Sequence, residues 1–284
     1  MAAPIKMQYL FILTAIEKSC GIVYNALYRT LGEIGMCKII VVSSGKGGTG
    51  KTTTVAAVSS CLAMLGARTL CMDFDIGFNN LDLYLCMSEF AVSDFTDVLE
   101  GRMELMDACC ESPLIPGLYF LNAPTDKKET ENIDVADMFA AVREHFDYCV
   151  IDAPPGFNAG FALAHAQADM SIIVTNGELP SIRDAQKTAD IIRDMGVADI
   201  RLLINRVRPA NFKILQTTID DIIDTIQARL IGIVHEDKHV FRALHEHKPL
   251  ILYKKRRAAY EFSNVARRIM GEDVPLRKKG KFSS

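Results

Sequence analysis

One short stretch, SSGKGGTGKTTT at positions 43–54, constrains this chain more than any other. Gly45 is followed after four residues by Gly50, Lys51 and Thr52, the spacing of a phosphate-binding loop. The flanks agree with that reading. CKIIVV before the loop is an apolar, β-branched run that predicts a buried strand. TTTVAAVSSCLAMLG after it spaces apolar residues as a helix does, with Gly66 as a stop. A glycine turn that only joined strand to helix would need no Lys-Thr pair. In this order, glycine backbone N–H groups converge on a polyphosphate, and the helix N-terminus adds the positive end of its dipole. Lys51 is predicted to reach the β- and γ-phosphates of ATP, and the Thr52 hydroxyl to hold Mg²⁺. Gly45, Lys46, Gly47, Gly48, Thr49, Gly50 and Thr53 complete the predicted nucleotide-binding set. Lys46 is surplus to it, because a phosphate loop usually needs one lysine and this one has two.

From Cys37 onward, strand-like and helix-like segments alternate. Strands are predicted at 37–43, 69–74, 118–122, 148–153, 171–176, 200–205 and 230–234. Helices are predicted near 51–65, 134–145, 158–168, 181–195, 211–229, 237–247 and 257–271. Continuous apolar strands between helices imply an α/β fold, a mostly parallel sheet with helices on both faces, here of the P-loop NTPase kind. The expected organisation is an extension at 1–35, one ATPase domain at 36–273 and a basic tail at 274–284.

In such sheets ligands sit beyond the carboxyl ends of the strands. Three aspartates are predicted there. MDFDIG puts Asp73 and Asp75 after the second strand, and VIDAPPG puts Asp152 after the fourth. Four apolar residues and then Asp is the Walker B form, so Asp152 is expected to hold Mg²⁺ through its water shell, with Asp73 nearby. Asp75 is the candidate to orient a water for attack on the γ-phosphate. Pro154, Pro155 and Gly156 predict a sharply bent loop beside that phosphate, the kind of loop that senses its presence.

Other motifs weigh less. HEDKHVFRALH (235–245) offers His235, His239 and His245 at the spacing of a zinc protease, with Glu236 as base. Yet His235 directly follows the strand-like LIGIV, and Arg242 stands where the motif needs a turning glycine. None of the eight cysteines forms a C-x-x-C, so zinc ribbon and thioredoxin chemistry are not suggested, and reduced thiols fit the cytosol. No stretch reaches the roughly 20 apolar residues of a membrane span.

Charge is unevenly placed. The net charge is −3, yet residues 248–284 hold eleven Lys/Arg against Glu261, Glu272 and Asp273. Two readings stay open: a solvated helix face with a basic tail, or a surface that meets something anionic. Residues 1–35 carry a helical apolar stripe from Tyr9 to Ile34, weakened by Gly21, Gly32 and Gly35. They read either as an amphipathic anchor or as sequence ahead of a true start at Met36.

KGGTGKT resembles the deviant Walker A box, K-G-G-x-G-K-[ST], of the ParA/MinD ATPase family. MDFDIGFNNLDLYL, SDFTDVLEG, TNGELPSIRDAQKT, LIGIVHEDKHVFRALHEHKPLI and RRIMGEDVP resemble, in order, segments of its septum-positioning MinD branch. The resemblance covers about residues 36–276. It implies an ATP hydrolase that forms a homodimer with ATP, in which Lys46 crosses to the partner's nucleotide. It implies Asp75 as catalytic, Asp152 as Walker B and Asn205, in INR, as an adenine contact. It also implies a cytoplasmic protein held at the inner face of the cell membrane, a MinC-like inhibitor recruited there, and release by a MinE-like activator. The family's membrane helix is shortened here to LRKKGKFSS, with only Leu276 and Phe282 apolar, so an electrostatic attachment is expected. The alternative is ParA-like, non-specific DNA binding through the basic C-terminal surface.

Overall fold

The computed structural model describes residues 37–77, 80–124, 134–210, 218–253 and 256–276. The predicted extension at 1–35 and most of the basic tail lie outside the described residues. Eight strands form one sheet in the order β3-β4-β2-β5-β1-β6-β7-β8. They are β1 (Lys38–Ser43), β2 (Thr69–Asp73), β3 (Cys110–Glu111), β4 (Leu118–Leu121), β5 (Tyr148–Asp152), β6 (Met170–Thr175), β7 (Asp199–Val207) and β8 (Arg229–His235). All pairings are parallel except β3 with β4, an antiparallel edge.

The helices follow the chain as α1 (Lys51–Met64), α2 (Leu81–Leu85), α3 (Phe95–Leu99), α4 (Leu105–Ala108), α5 (Ala136–His145), α6 (Ala159–His165), α7 (Leu179–Asp194), α8 (Ile219–Ile226), α9 (Lys238–His245) and α10 (Arg257–Ile269). Successive side chains of a strand point to opposite faces, and β1 shows the consequence. Ile39 and Val41 join a core with Phe139, Ile182 and Ile222 of α5, α7 and α8. Ile40 and Val42 join a second core with Val58 and Leu62 of α1 and Phe262 and Val265 of α10. Both faces of the sheet are therefore covered, as the unbroken apolar strands require.

All seven predicted strands are present, within two residues at each end. The differences are local. The helix predicted over 211–229 is described only as α8, opened by a capping box between Thr218 and Asp221. It stops at Gln227, whose φ of 55° is left-handed. α2, α3, α4 and β3 were not predicted; each is five residues or fewer, too short to show a period.

α10 runs antiparallel to β8. Glu261, in its first turns, accepts from the backbone N–H of His235 at the end of β8 (2.7 Å). Arg268, in its last turn, donates to the carbonyl of Ile231 (2.8 Å) and to those of Val274 and Pro275 (2.9 and 3.1 Å by Nε and Nη2). Exposed Arg256 and Arg257 thus stand at the carboxyl ends of the strands, and Val274 and Pro275 lie at the opposite end. Thirteen helical residues put about 20 Å between the two ends of α10.

Candidate functional site

The phosphate loop connects β1 to α1 where sequence placed it. Gly50 is the N-cap of α1 with φ 93°, and a Cβ there would stand 2.2 Å from Asn205 Nδ2. Both its backbone angle and its close neighbour demand glycine. A Cβ on Gly45 would meet the Asp184 carbonyl at 2.4 Å. Gly47 and Gly48 differ from these two, since a Cβ on either would meet nothing within 4 Å. The loop is therefore clamped at its two ends and open between them.

The carboxyl ends of β2 and β5 bring the predicted acids together. Asp73 and Asp152 are direct partners in the parallel register, and both are buried. Asp152 takes both side chains of the Lys-Thr pair: Lys51 Nζ lies 2.5 Å from Oδ1, and Thr52 Oγ1 donates to Oδ2 at 2.7 Å. Asp73 accepts from the backbone N–H of Asp75 at 2.8 Å. Burial, and then the neighbouring Asp152 carboxylate, push the Asp73 carboxyl up to about 7. Two adjacent buried carboxylates and one hydroxyl form a hard-oxygen donor set, and a divalent cation would relieve the repulsion between the carboxylates. The residues present fit Mg²⁺.

The other predicted residues lie around this centre. Asp75 is half-buried just past β2. Thr49 is buried, and its hydroxyl points to the Lys46 carbonyl at 3.5 Å. Thr53, in the first turn of α1, lines a narrow cleft with Tyr84 and Val240. Asn205, buried at the end of β7, donates through Nδ2 to the Thr49 carbonyl at 2.9 Å. Lys46 stands apart, 43 % exposed and 3.3 Å from Glu178, the N-cap residue of α7. After Asp152 the chain bends at Gly156 (φ 80°), and Asn158 caps α6 by accepting from Phe161 N–H at 3.0 Å. Phe157, in this bend, is 52 % exposed and rests edge-on against Phe161.

The histidine motif is divided between two elements. His235 ends β8 and binds Glu261 at 2.8 Å, whereas His239 lies in α9 and binds Asp237 at 2.6 Å. Each ring already has its own carboxylate partner. Burial pushes the Cys109 thiol up to about 12 and raises Cys110 as well, which leaves both poor nucleophiles.

Sequence reading missed Glu178 and Arg206. Arg206 donates to the Gly48 carbonyl at 2.9 Å, and its φ is 53°. Glu178 carries no local signal, because its partner lies 132 residues away. Arg206 could have been flagged only by its place beside Asn205.

A family model described as the CobQ/CobB/MinD/ParA nucleotide binding domain matches residues 40–250. The septum site-determining protein MinD of Bacillus subtilis is 35 % identical over 246 residues, covering 85 % of this chain and 92 % of that protein. Among solved structures, MinD in the MinC:MinD cell division protein complex of Aquifex aeolicus is similar at TM-score 0.77 and 33 % identity, covering 85 % of this chain and 99 % of that one. Pyrococcus horikoshii MinD complexed with Mg-ADP is similar at TM-score 0.71 and 26 % identity, covering 84 % and 100 %.

Proposed function

The chain belongs to the MinD branch of the CobQ/CobB/MinD/ParA nucleotide-binding family, and on that premise we propose that it is an ATP hydrolase that regulates division-septum placement. It binds ATP with Mg²⁺, pairs as a homodimer, attaches to the inner, cytoplasmic face of the cell membrane and recruits a MinC-like inhibitor. A MinE-like activator releases it by stimulating hydrolysis. The observation that carries this reading is the pair of lysines. Lys51 is tied inside its own subunit to Asp152, while Lys46 stands exposed at the rim of the same loop.

The chemistry follows from those positions. ATP binding draws Lys51 from Asp152 to the β- and γ-phosphates, exchanging one anionic partner for another. The backbone N–H groups at the N-terminus of α1 face the remaining phosphate charge. Mg²⁺, held by Thr52 with Asp73 and Asp152, would neutralise charge developing between the β- and γ-phosphates. Asp75 orients the attacking water, and Asn205, with Nδ2 committed to the loop, keeps Oδ1 for the adenine amino group. Lys46 leaves its exposed Glu178 partner and completes the site of the second copy. An exposed ion pair contributes only about 0–1 kcal/mol, so it opposes that transfer weakly.

Membrane attachment is electrostatic in this reading. Each cation near an anionic bilayer contributes about 1 kcal/mol, and pairing doubles the number of basic regions presented. The excess of Lys/Arg in residues 248–284 also suits the phosphates of DNA, so co-sedimentation decides between the two. With ATP, the full-length protein should pellet with anionic vesicles, not with neutral ones, and should be released at high salt. ATP-dependent sedimentation with DNA but not with vesicles would replace the septum reading with a partitioning one.

A further inference from the structure

Two consecutive residues at the end of β7 hold two consecutive carbonyls of the phosphate loop. Asn205 Nδ2 donates to Thr49 O at 2.9 Å, and Arg206 Nη1 donates to Gly48 O at 2.9 Å. The backbone at Arg206 is strained to make this contact. Its φ of 53° lies in the left-handed region, where side chains other than Gly, Asn and Asp are uncommon. The strain sits where the β7–β8 register shifts between Ile204 and Val207. Irregularities of this kind re-aim a side chain, and here the guanidinium lies against the loop. Its Nη2 meets Glu236 Oε1 at 3.4 Å, and the other oxygen of Glu236 takes Arg208 Nε.

The loop segment that Arg206 grips is the one with most freedom. Gly47 and Gly48 have open space where side chains would be, and glycine loses more backbone entropy on ordering than any other residue. The segment is closed on its other side by Ser44 Oγ, which donates to the Lys46 carbonyl at 3.1 Å. Lys46 through Thr49 is thus one small unit, tied to the sheet by Asn205 at Thr49 and by Arg206 at Gly48. The Arg206 side chain is 51 % exposed, and a lone exposed contact would contribute little. The fork from a loop carbonyl to a carboxylate, made from a strained backbone, distinguishes it from an incidental surface contact.

We propose that Arg206, braced by Glu236, is a positioning residue that latches the Gly47–Gly48 segment and so fixes the reach of Lys46 toward a second copy of this chain. The inference rests on the pairing reading given above. It assigns the latch to pairing and turnover rather than to the grip on nucleotide, which belongs to Lys51, Thr52 and the α1 end of the loop.

The full-length chain tests it with four substitutions. Arg206→Met keeps the side-chain bulk and removes every donor. It should leave ADP affinity, measured by calorimetry, within about threefold of wild type while weakening ATP-driven pairing in light scattering, and kcat, about tenfold. Arg206→Lys should recover part of the loss, since an ammonium keeps the charge but lacks the rigid planar fork that spans the Gly48 carbonyl and Glu236. Glu236→Gln should fall between wild type and Arg206→Met. Arg206→Gly separates the latch from the fold: it relieves the positive φ, so Tm should not fall, yet pairing should still be lost. A merely structural role would make pairing follow Tm. If Arg206→Met does not fold, Arg206→Gly and Glu236→Gln carry the test. Wild-type pairing and turnover in Arg206→Gly would overturn the latch alone. A wild-type protein that neither pairs nor hydrolyses ATP would overturn the functional reading and the latch with it.

Discussion

The two lysines of the phosphate loop lie five residues apart and live in different physical worlds. Lys51 opens α1, its side chain 11 % exposed, and it is bound at 2.5 Å to a buried carboxylate. Lys46 is 43 % exposed and rests 3.3 Å from a glutamate that is more exposed than itself. Desolvation makes the first contact strong and costly to break from one side. Solvent makes the second weak and easily exchanged. The same contrast separates the glycines, since Gly45 and Gly50 are pressed against the protein while Gly47 and Gly48 face open space. On the proposed reading, one half of the loop holds the nucleotide of its own subunit and the other is presented to a second copy.

The largest expected effect comes from removing the buried lysine. Lys51→Ala should lower ATP affinity by more than about a hundredfold in equilibrium binding, because Asp73 and Asp152 are left without their internal cation. ATP affinity within a few-fold of wild type would erase the distinction between the two lysines. Next comes Asp75→Ala, which should slow steady-state hydrolysis by about a hundredfold or more while ATP affinity holds, trapping the paired state. Unchanged turnover with normal affinity would remove Asp75 from catalysis.

A smaller effect should appear in pH dependence. The Asp73 carboxyl sits at about 7 in the folded protein against an ordinary value of 3.8. The folded state therefore holds this proton more tightly than the unfolded one does. Its contribution to stability is complete below about pH 4 and is lost as pH rises through 7. Asp73→Asn should accordingly gain Tm over wild type at pH 8 and lose that gain at pH 4, as followed by thermal melts without nucleotide. An equal Tm difference at both pH values would show that Asp73 is not the group that titrates. The smallest effect is expected at the exposed pair. Glu178→Gln should favour ATP-driven pairing by no more than about fivefold, the worth of a surface ion pair.

Legibility in the sequence followed the same division. The clamped half of the site could be read directly. Gly45, Gly50, Lys51 and Thr52 have fixed spacing, and Asp73 and Asp152 end apolar strands whose burial dictates a parallel sheet. That sheet then had to bring the two aspartates side by side. The presented half was harder to read. That Lys46 rests on Glu178, and that Arg206 grips Gly48, depends on how β6, β7 and α7 stand over the loop, across 132 and 158 residues of chain. No local pattern encodes such a contact. The left-handed φ of Arg206 is set by the slipped β7–β8 pairing, which propensity alone does not foresee. Short α2, α3 and α4 escaped for a simpler reason, because one turn shows no period. The zinc-like histidines were legible as a decoy, because a strand precedes the first of them.

The central claim is that Lys46 serves a second copy of the chain while Lys51 serves its own. Light scattering of Lys46→Ala with ATP, set beside a nucleotide titration of the same protein, tests it most directly. The account predicts ADP affinity within about twofold of wild type, a monomer at every ATP concentration, and no hydrolysis above background. A Lys46→Ala protein that pairs with ATP as the wild type does would contradict it.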